Sequence, residues 1–235
     1  MKKKFCIVVF SVILIFPYSG RSEQNTAINI SDIINNLQTE FSLINDYSVR
    51  LTAVVDMKNV RVPPGNIKMY FKQPDKVHLE SKSFAMLPKE GIIINPNQFN
   101  KEDYYMSFLG EEILRGDRTY KIELVPRNDS IKIRKLNLWV DPDRWLVIRA
   151  LTISWQGQSV QVDIQYDMIN GKQWMPVKAA AMINLKGFMG FSSFHGGAGS
   201  GESRGDGPDE SAGMVFLEFY DYEINKGIPD SMFTE

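Results

Sequence analysis

Apolar residues recur along this chain with two different periods. Ile30, Ile34, Leu37, Phe41 and Ile44 follow one another at spacings of 4, 3, 4 and 3, which predicts one amphipathic helix over residues 30–45. After it the period becomes two. Val49, Leu51, Ala53, Val55 and Met57 alternate with Ser48, Arg50, Thr52 and Asp56. Ile67, Met69 and Phe71 alternate with Lys68, Tyr70 and Lys72, and Val77 and Leu79 with His78 and Glu80. Each run is a strand with one face toward a core. Pro63-Pro64-Gly65 and Pro74-Asp75 supply the turns between them. Gly91–Asn95 reads as a short apolar strand, and a short helix is expected between Pro96 and Phe108. Gly116-Asp117 turns the chain from a strand over 111–115 into Tyr120, Ile122 and Leu124.

The second half continues in the same way. Ile131–Val140 is a strand whose apolar parity switches between Ile133 and Leu136, which predicts a bulge there. Asp141-Pro142-Asp143 turns into Trp145–Trp155, and Gly157 turns into a strand on which Val160, Val162, Ile164, Tyr166 and Met168 share one face. Asn170-Gly171 is a strong hairpin signal before Trp174–Leu185, and Met214–Ile224 is the last strand. About ten strands on short turns behind one helix make an α+β domain dominated by an antiparallel meander. Residues 187–213, with nine glycines in 27 positions, interrupt it. Such a composition predicts a disordered insertion, with an apolar first part through Phe194 and a Gly, Ser and acidic second part.

The amino terminus has a different character. Lys2–Lys4 precede an apolar run of 12 residues, Phe5–Phe16, which falls short of the roughly 20 needed to span a bilayer. Pro17 breaks the run, and Gly20 and Ser22 stand at −3 and −1 of a cleavage site before Glu23. The layout predicts a secretory signal over residues 1–22 and a single mature domain over 23–235. The lone Cys6 lies inside the signal, so neither disulfides nor thiol chemistry is expected of the mature chain. The net charge of −1 becomes −5 without those residues, and an acidic body is a poor match for nucleic acid.

Candidate catalysis is sparse. The two histidines, His78 and His195, belong to no metal-binding spacing, and no nucleophile elbow, phosphate loop or dinucleotide fingerprint occurs. His78 is expected to be solvated on a polar strand face. Glu111 and Glu112, adjacent on a strand, point to opposite faces, and Asp141 and Asp143 suit a turn. The unusual feature is the apolar load on the strands, Met57, Met69, Phe71, Met168, Met182 and Phe216 among others, more than one helix covers. Either a second helix and sheet curvature bury it all, or a concave face with adaptable methionine walls stays partly open for an apolar ligand.

Tyr70-Phe71-Lys72-Gln73-Pro74-Asp75-Lys76-Val77, the hairpin from Gly116 to Pro126, Leu138-Trp139-Val140-Asp141 and the ending Asn225–Phe233 resemble the LolA/LolB family of periplasmic lipoprotein carriers and their lipoprotein-sorting relatives. The resemblance implies an incomplete antiparallel β-barrel with an N-terminal helix and a short helical lid over an apolar cavity. It also implies a periplasmic, non-enzymatic carrier, without cofactor, metal or catalytic residues, that moves a lipid or the acyl chains of a lipoprotein toward the outer membrane. Expected partners are that ligand, an inner-membrane release complex or an outer-membrane acceptor, with the chain a monomer. The other reading of the same fold is an envelope sensor that binds a protein partner and responds to lipid. The expected cavity wall is Ile67, Met69, Phe71, Val77, Leu79, Ile122, Leu124 and Phe216. Gln73 is the expected lid contact, where the carriers often have an arginine; a neutral amide makes weaker bonds there.

Overall fold

The structure, a computed structural model, describes residues 28–57, 63–81, 94–128, 131, 133–184 and 212–234. The expected signal, residues 187–211 of the glycine-rich insertion and positions 91–93 of the expected short strand lie outside them. Helix α1 runs Ile30–Ser42. Ten strands follow: β1 Asp46–Met57, β2 Gly65–Lys72, β3 Lys76–Ser81, β4 Tyr104–Leu114, β5 Asp117–Pro126, β6 Ile133–Asp141, β7 Leu146–Ser154, β8 Ser159–Ile169, β9 Gln173–Asn184 and β10 Ala212–Ile224.

All ten belong to one antiparallel sheet in the order β3-β2-β1-β10-β9-β8-β7-β6-β5-β4. Every neighbour pair is consecutive in the chain except β1–β10. The edges, β3 and β4, do not pair with each other, so the curved sheet stays an incomplete barrel.

Asn29 starts α1, its Oδ1 accepting from the Ser31 amide at 2.9 Å, and Asp32 adds negative charge to the first turn. The helix stops at Ser42, three residues short of the expected end, but Ile44 still turns inward, so the whole apolar stripe packs.

Two buried clusters form on the face that carries α1, the inner face. Ile33, Ile34 and Leu37 of the helix pack on Ile122, Leu124, Leu138, Val140, Val147 and Ala150 of β5–β7. Ile44 at the helix exit joins Val49, Leu51, Ile67, Met69, Phe71, Leu217 and Phe219 of β1, β2 and β10.

Three expectations are refined. The bulge predicted between Ile133 and Leu136 is there, a register shift against β7 between Ile133 and Lys135, with a second between Trp139 and Val140. The short helix expected between Pro96 and Phe108 is instead one 3-10 turn, Pro96–Gln98, followed by β4. Asn95 caps that turn through its side chain, and the alternation of Tyr104, Met106 and Phe108 with Tyr105 and Ser107 is strand spacing. The insertion also ends earlier than residue 213, because Ala212 and Gly213 already belong to β10. Gly213 faces Met57 so closely that a Cβ there would stand 2.2 Å from the Met57 Cγ.

Candidate functional site

The strand register writes the inner face out as cross-strand rows. One row reads Val55, Val215, Ala181, Val162, Ala150, Leu138, Ile122 and Phe108 across eight strands from β1 to β4. The next reads Met57, Gly213, Ile183, Val160, Thr152, Leu136, Leu124 and Met106. Neither contains a charge. The outer face differs: its row runs Val54, Phe216, Ala180, Asp163, Arg149, Trp139 and Lys121. Only the inner face can shelter an apolar molecule along its whole width.

The two buried clusters do not meet evenly across that face. Val160, Val162 and Ile164 on β8 and Ala179, Ala181 and Ile183 on β9 are half-buried, while Val215, Leu217 and Ala150 on the flanking strands are buried. The result is an apolar strip two strands wide, roughly 10 Å from the strand spacing. Two alanines keep its floor low.

The expected wall residues are placed as follows. Ile67, Met69 and Phe71 are buried in the β1–β2–β10 cluster, with Val77 and Leu79 half-buried against it. Ile122 and Leu124 are buried in the other cluster, under α1. These seven share the inner face but are divided between two packed cores. Phe216 stands apart. It is 43% exposed on the outer face beside Val54 and Ala180, because Val215 and Leu217 take the inward positions on β10. The strip residues were the ones missed. The shared face of Val160, Val162 and Ile164 was readable from alternation, but the pairing of β8 with the alanines of β9 was not.

Gln73 lies where α1 ends. Its Nε2 donates to the carbonyls of Phe41 at 3.2 Å and Ile44 at 3.0 Å, and its Oε1 accepts from Asn97 Nδ2 at 2.8 Å. The amide thus ties the helix end to the 3-10 turn through neutral bonds, two as donor and one as acceptor. On the far side of the same junction, Asn225 Oδ1 accepts from the Asn45 amide at 2.7 Å and its Nδ2 donates to the Leu43 carbonyl at 2.9 Å. Asp46 receives the amides of Lys226 and Gly227. The ending Asn225–Gly227 is therefore a clasp on the start of β1.

Polar chemistry gathers on the outer face. The Trp139 ring lies between Lys121 and Arg149, 4.8 and 5.8 Å from its centroid, and its Nε1 donates to Glu112 at 2.7 Å. Arg149 bonds Asp163, which also meets Arg115 at 2.9 Å. Asp141 accepts the amides of Asp143 and Arg144 and pairs with the Arg144 guanidinium, a turn role as its sequence position suggests. His78 is half-buried with its ring 6.0 Å from Tyr70, less solvated than its alternation implies.

Bonds from Lys121 and then Trp139 hold the Glu112 carboxyl below its ordinary range. A group lowered in the folded state stabilises at pH above the unfolded value and loses that contribution as pH falls through the lowered one. Glu112→Gln should therefore flatten the decline of the urea midpoint between about pH 6 and about pH 3. An unchanged slope would show that Glu112 is not coupled to folding.

No family model matches the sequence, and no curated protein matches it either. Solved structures do. A domain described as an outer membrane lipoprotein-sorting protein from Vibrio parahaemolyticus is similar over 87% of this chain and 97% of its own, with TM-score 0.61 and 10% identity. A DUF1329 family protein from Desulfovibrio piger gives TM-score 0.57 at 12% identity, covering 87% of this chain and 97% of its own. A LolA superfamily protein from Nitrosomonas europaea gives 0.56 at 14%, covering 89% and 99%. Near-complete coverage in both directions means that the whole sheet and its helix correspond, and the chain has the LolA-type fold.

Proposed function

We propose that the chain is an exported, non-enzymatic carrier. In this reading the signal is cut before Glu23, and the mature protein works as a monomer in the periplasm. There it holds a lipid, or the acyl chains of a lipoprotein, against the inner face of β8 and β9 on the way to the outer membrane, between an inner-membrane release complex and an outer-membrane acceptor. The observation that carries this reading is the half-buried, uncharged strip of Val160, Val162, Ile164, Ala179, Ala181 and Ile183 between two packed cores. Burying one methylene is worth about 0.8 kcal/mol, so a chain lying on such a strip needs no specific polar contact for useful affinity. The strip replaces β2 as the proposed wall, since Met69 and Phe71 are packed by the protein's own side chains.

Displacement of a fluorescent fatty acid tests it. Val162→Asp places a carboxylate that water can reach while the strip is empty but that an acyl chain would bury, so the variant should fold and lose at least about tenfold in affinity. Gln161→Asp, one residue along on the outer face, should bind as the parent does. A folded Val162→Asp protein with parental affinity overturns the assignment.

A further inference from the structure

Among the described residues, the strip ends against a packed wall on one side. Along β8 the inward positions run Val160, Val162, Ile164 and then Tyr166. At Tyr166 the pairing with β9 shifts register, so that Ile164 faces Ala179 but Tyr166 faces Pro176. The low alanine floor ends at this step, and Met175 beyond it is buried core.

Tyr166 is held in place. Its hydroxyl donates to the Val147 carbonyl of β7 at 3.1 Å. Behind it, the Tyr222 hydroxyl donates to the Pro176 carbonyl at 2.7 Å, and Tyr222 lies against Tyr47 with ring centroids 5.9 Å apart. Tyr47 in turn packs on Phe71 at 5.2 Å. Burial pushes all three phenols up, so the group is uncharged at any physiological pH and can face an apolar chain. At the other end of the strip Ser159 pairs with Asn184, next to the β7–β8 turn, where Trp155 is exposed. The tyrosine end offers a wall.

We propose that Tyr166, backed by Tyr222 and Tyr47, is a stop that sets the length of chain the strip accepts. The ligand class is an unbranched acyl chain, its polar head toward the Val160–Ile183 end and its terminal methyl against the Tyr166 ring. The inference rests on the carrier reading above. Tyr166 is a specificity-determining residue in this account: it does not create affinity but ends its growth with chain length.

A homologous series of saturated fatty acids, octanoate to behenate, displacing a fluorescent fatty acid from the mature protein, reads this directly. Affinity should rise about fourfold per methylene, the equivalent of ~0.8 kcal/mol, and then stop rising at one length. Tyr166→Ala should move that break to longer chains. Ala179→Leu, which raises the floor just before the stop, should move it to shorter ones and does not disturb the tyrosine bonds. Tyr166→Phe keeps the ring and should leave the break where it is. If the break stays fixed in the folded Ala179→Leu protein, or if the parent shows no break at all, the stop is wrong while the carrier reading stands. If no fatty acid of any length displaces the probe from the parent, the carrier reading itself fails.

Discussion

Phe71→Glu is expected to leave the domain unfolded. The Phe71 side chain is 1% exposed, edge-on to Phe41 at 5.5 Å and tilted against Tyr47 at 5.2 Å. Removing a buried phenylalanine side chain costs about 3 to 5 kcal/mol, and an unpaired carboxylate in its place adds several more. Domains of this size have about 5 to 15 kcal/mol in total, so the change consumes most of it. Circular dichroism should show lost β-structure at ambient temperature, whereas Phe71→Leu should stay folded with a lowered urea midpoint. A folded Phe71→Glu protein that has lost only lipid binding would return the ligand wall to β2 and displace the strip on β8 and β9.

The second large effect is expected at Asp46. It is 5% exposed, its carboxylate accepts the amides of Lys226 at 2.9 Å and Gly227 at 3.1 Å, and its carbonyl accepts the Asn225 amide at 2.8 Å. Asp46→Ala leaves two amides without acceptors, a loss of about 2 to 5 kcal/mol. Asp46→Asn retains one acceptor and should lose about half as much. Nearby, Asp230 pairs with Lys72 and Lys76 through an exposed carboxylate, and solvent screening leaves such pairs little weight. Urea unfolding of Asp46→Ala, Asp46→Asn and Asp230→Ala checks the order. Equal midpoints for Asp46→Ala and Asp230→Ala would show that the clasp does not hold the sheet.

Much of this fold is written locally. Helix α1 follows from the spacing of five apolar residues, and most strands from alternation bounded by proline, glycine or asparagine. Even the irregularity near Ile133 shows as a parity switch. The pairing of β1 with β10 does not. Nothing near Val55 in the sequence indicates Val215, and only that pairing makes one row of residues from β1 to β4. The candidate site suffers from the same blindness. Phe71 and Phe216 are each an aromatic residue within an alternating strand, yet one is core and the other faces out. Parity within a strand tells which residues travel together; it does not tell which set the helix covers. Ala179 and Ala181 carry no signal at all, since small residues become informative only beside the larger side chains that stand taller than they do. Gln73 was singled out as a departure from an arginine, and its two carbonyl partners explain why a neutral side chain serves there.

The single non-consecutive pairing has a kinetic meaning. Seven of the nine strand contacts close short loops and β9 meets β10 across residues 185–211, but β1 meets β10 across more than 150 residues, as in Leu51 with Phe219. Loop closure over that distance is a slow step, because the chain loses entropy before the contacts form. Synthesis also delivers β10 after the other nine strands of the sheet. Until it emerges, β1 has no partner on one side, and the helix-exit cluster lacks Val215, Leu217 and Phe219. A chain made only as far as β9 therefore stays incompletely folded.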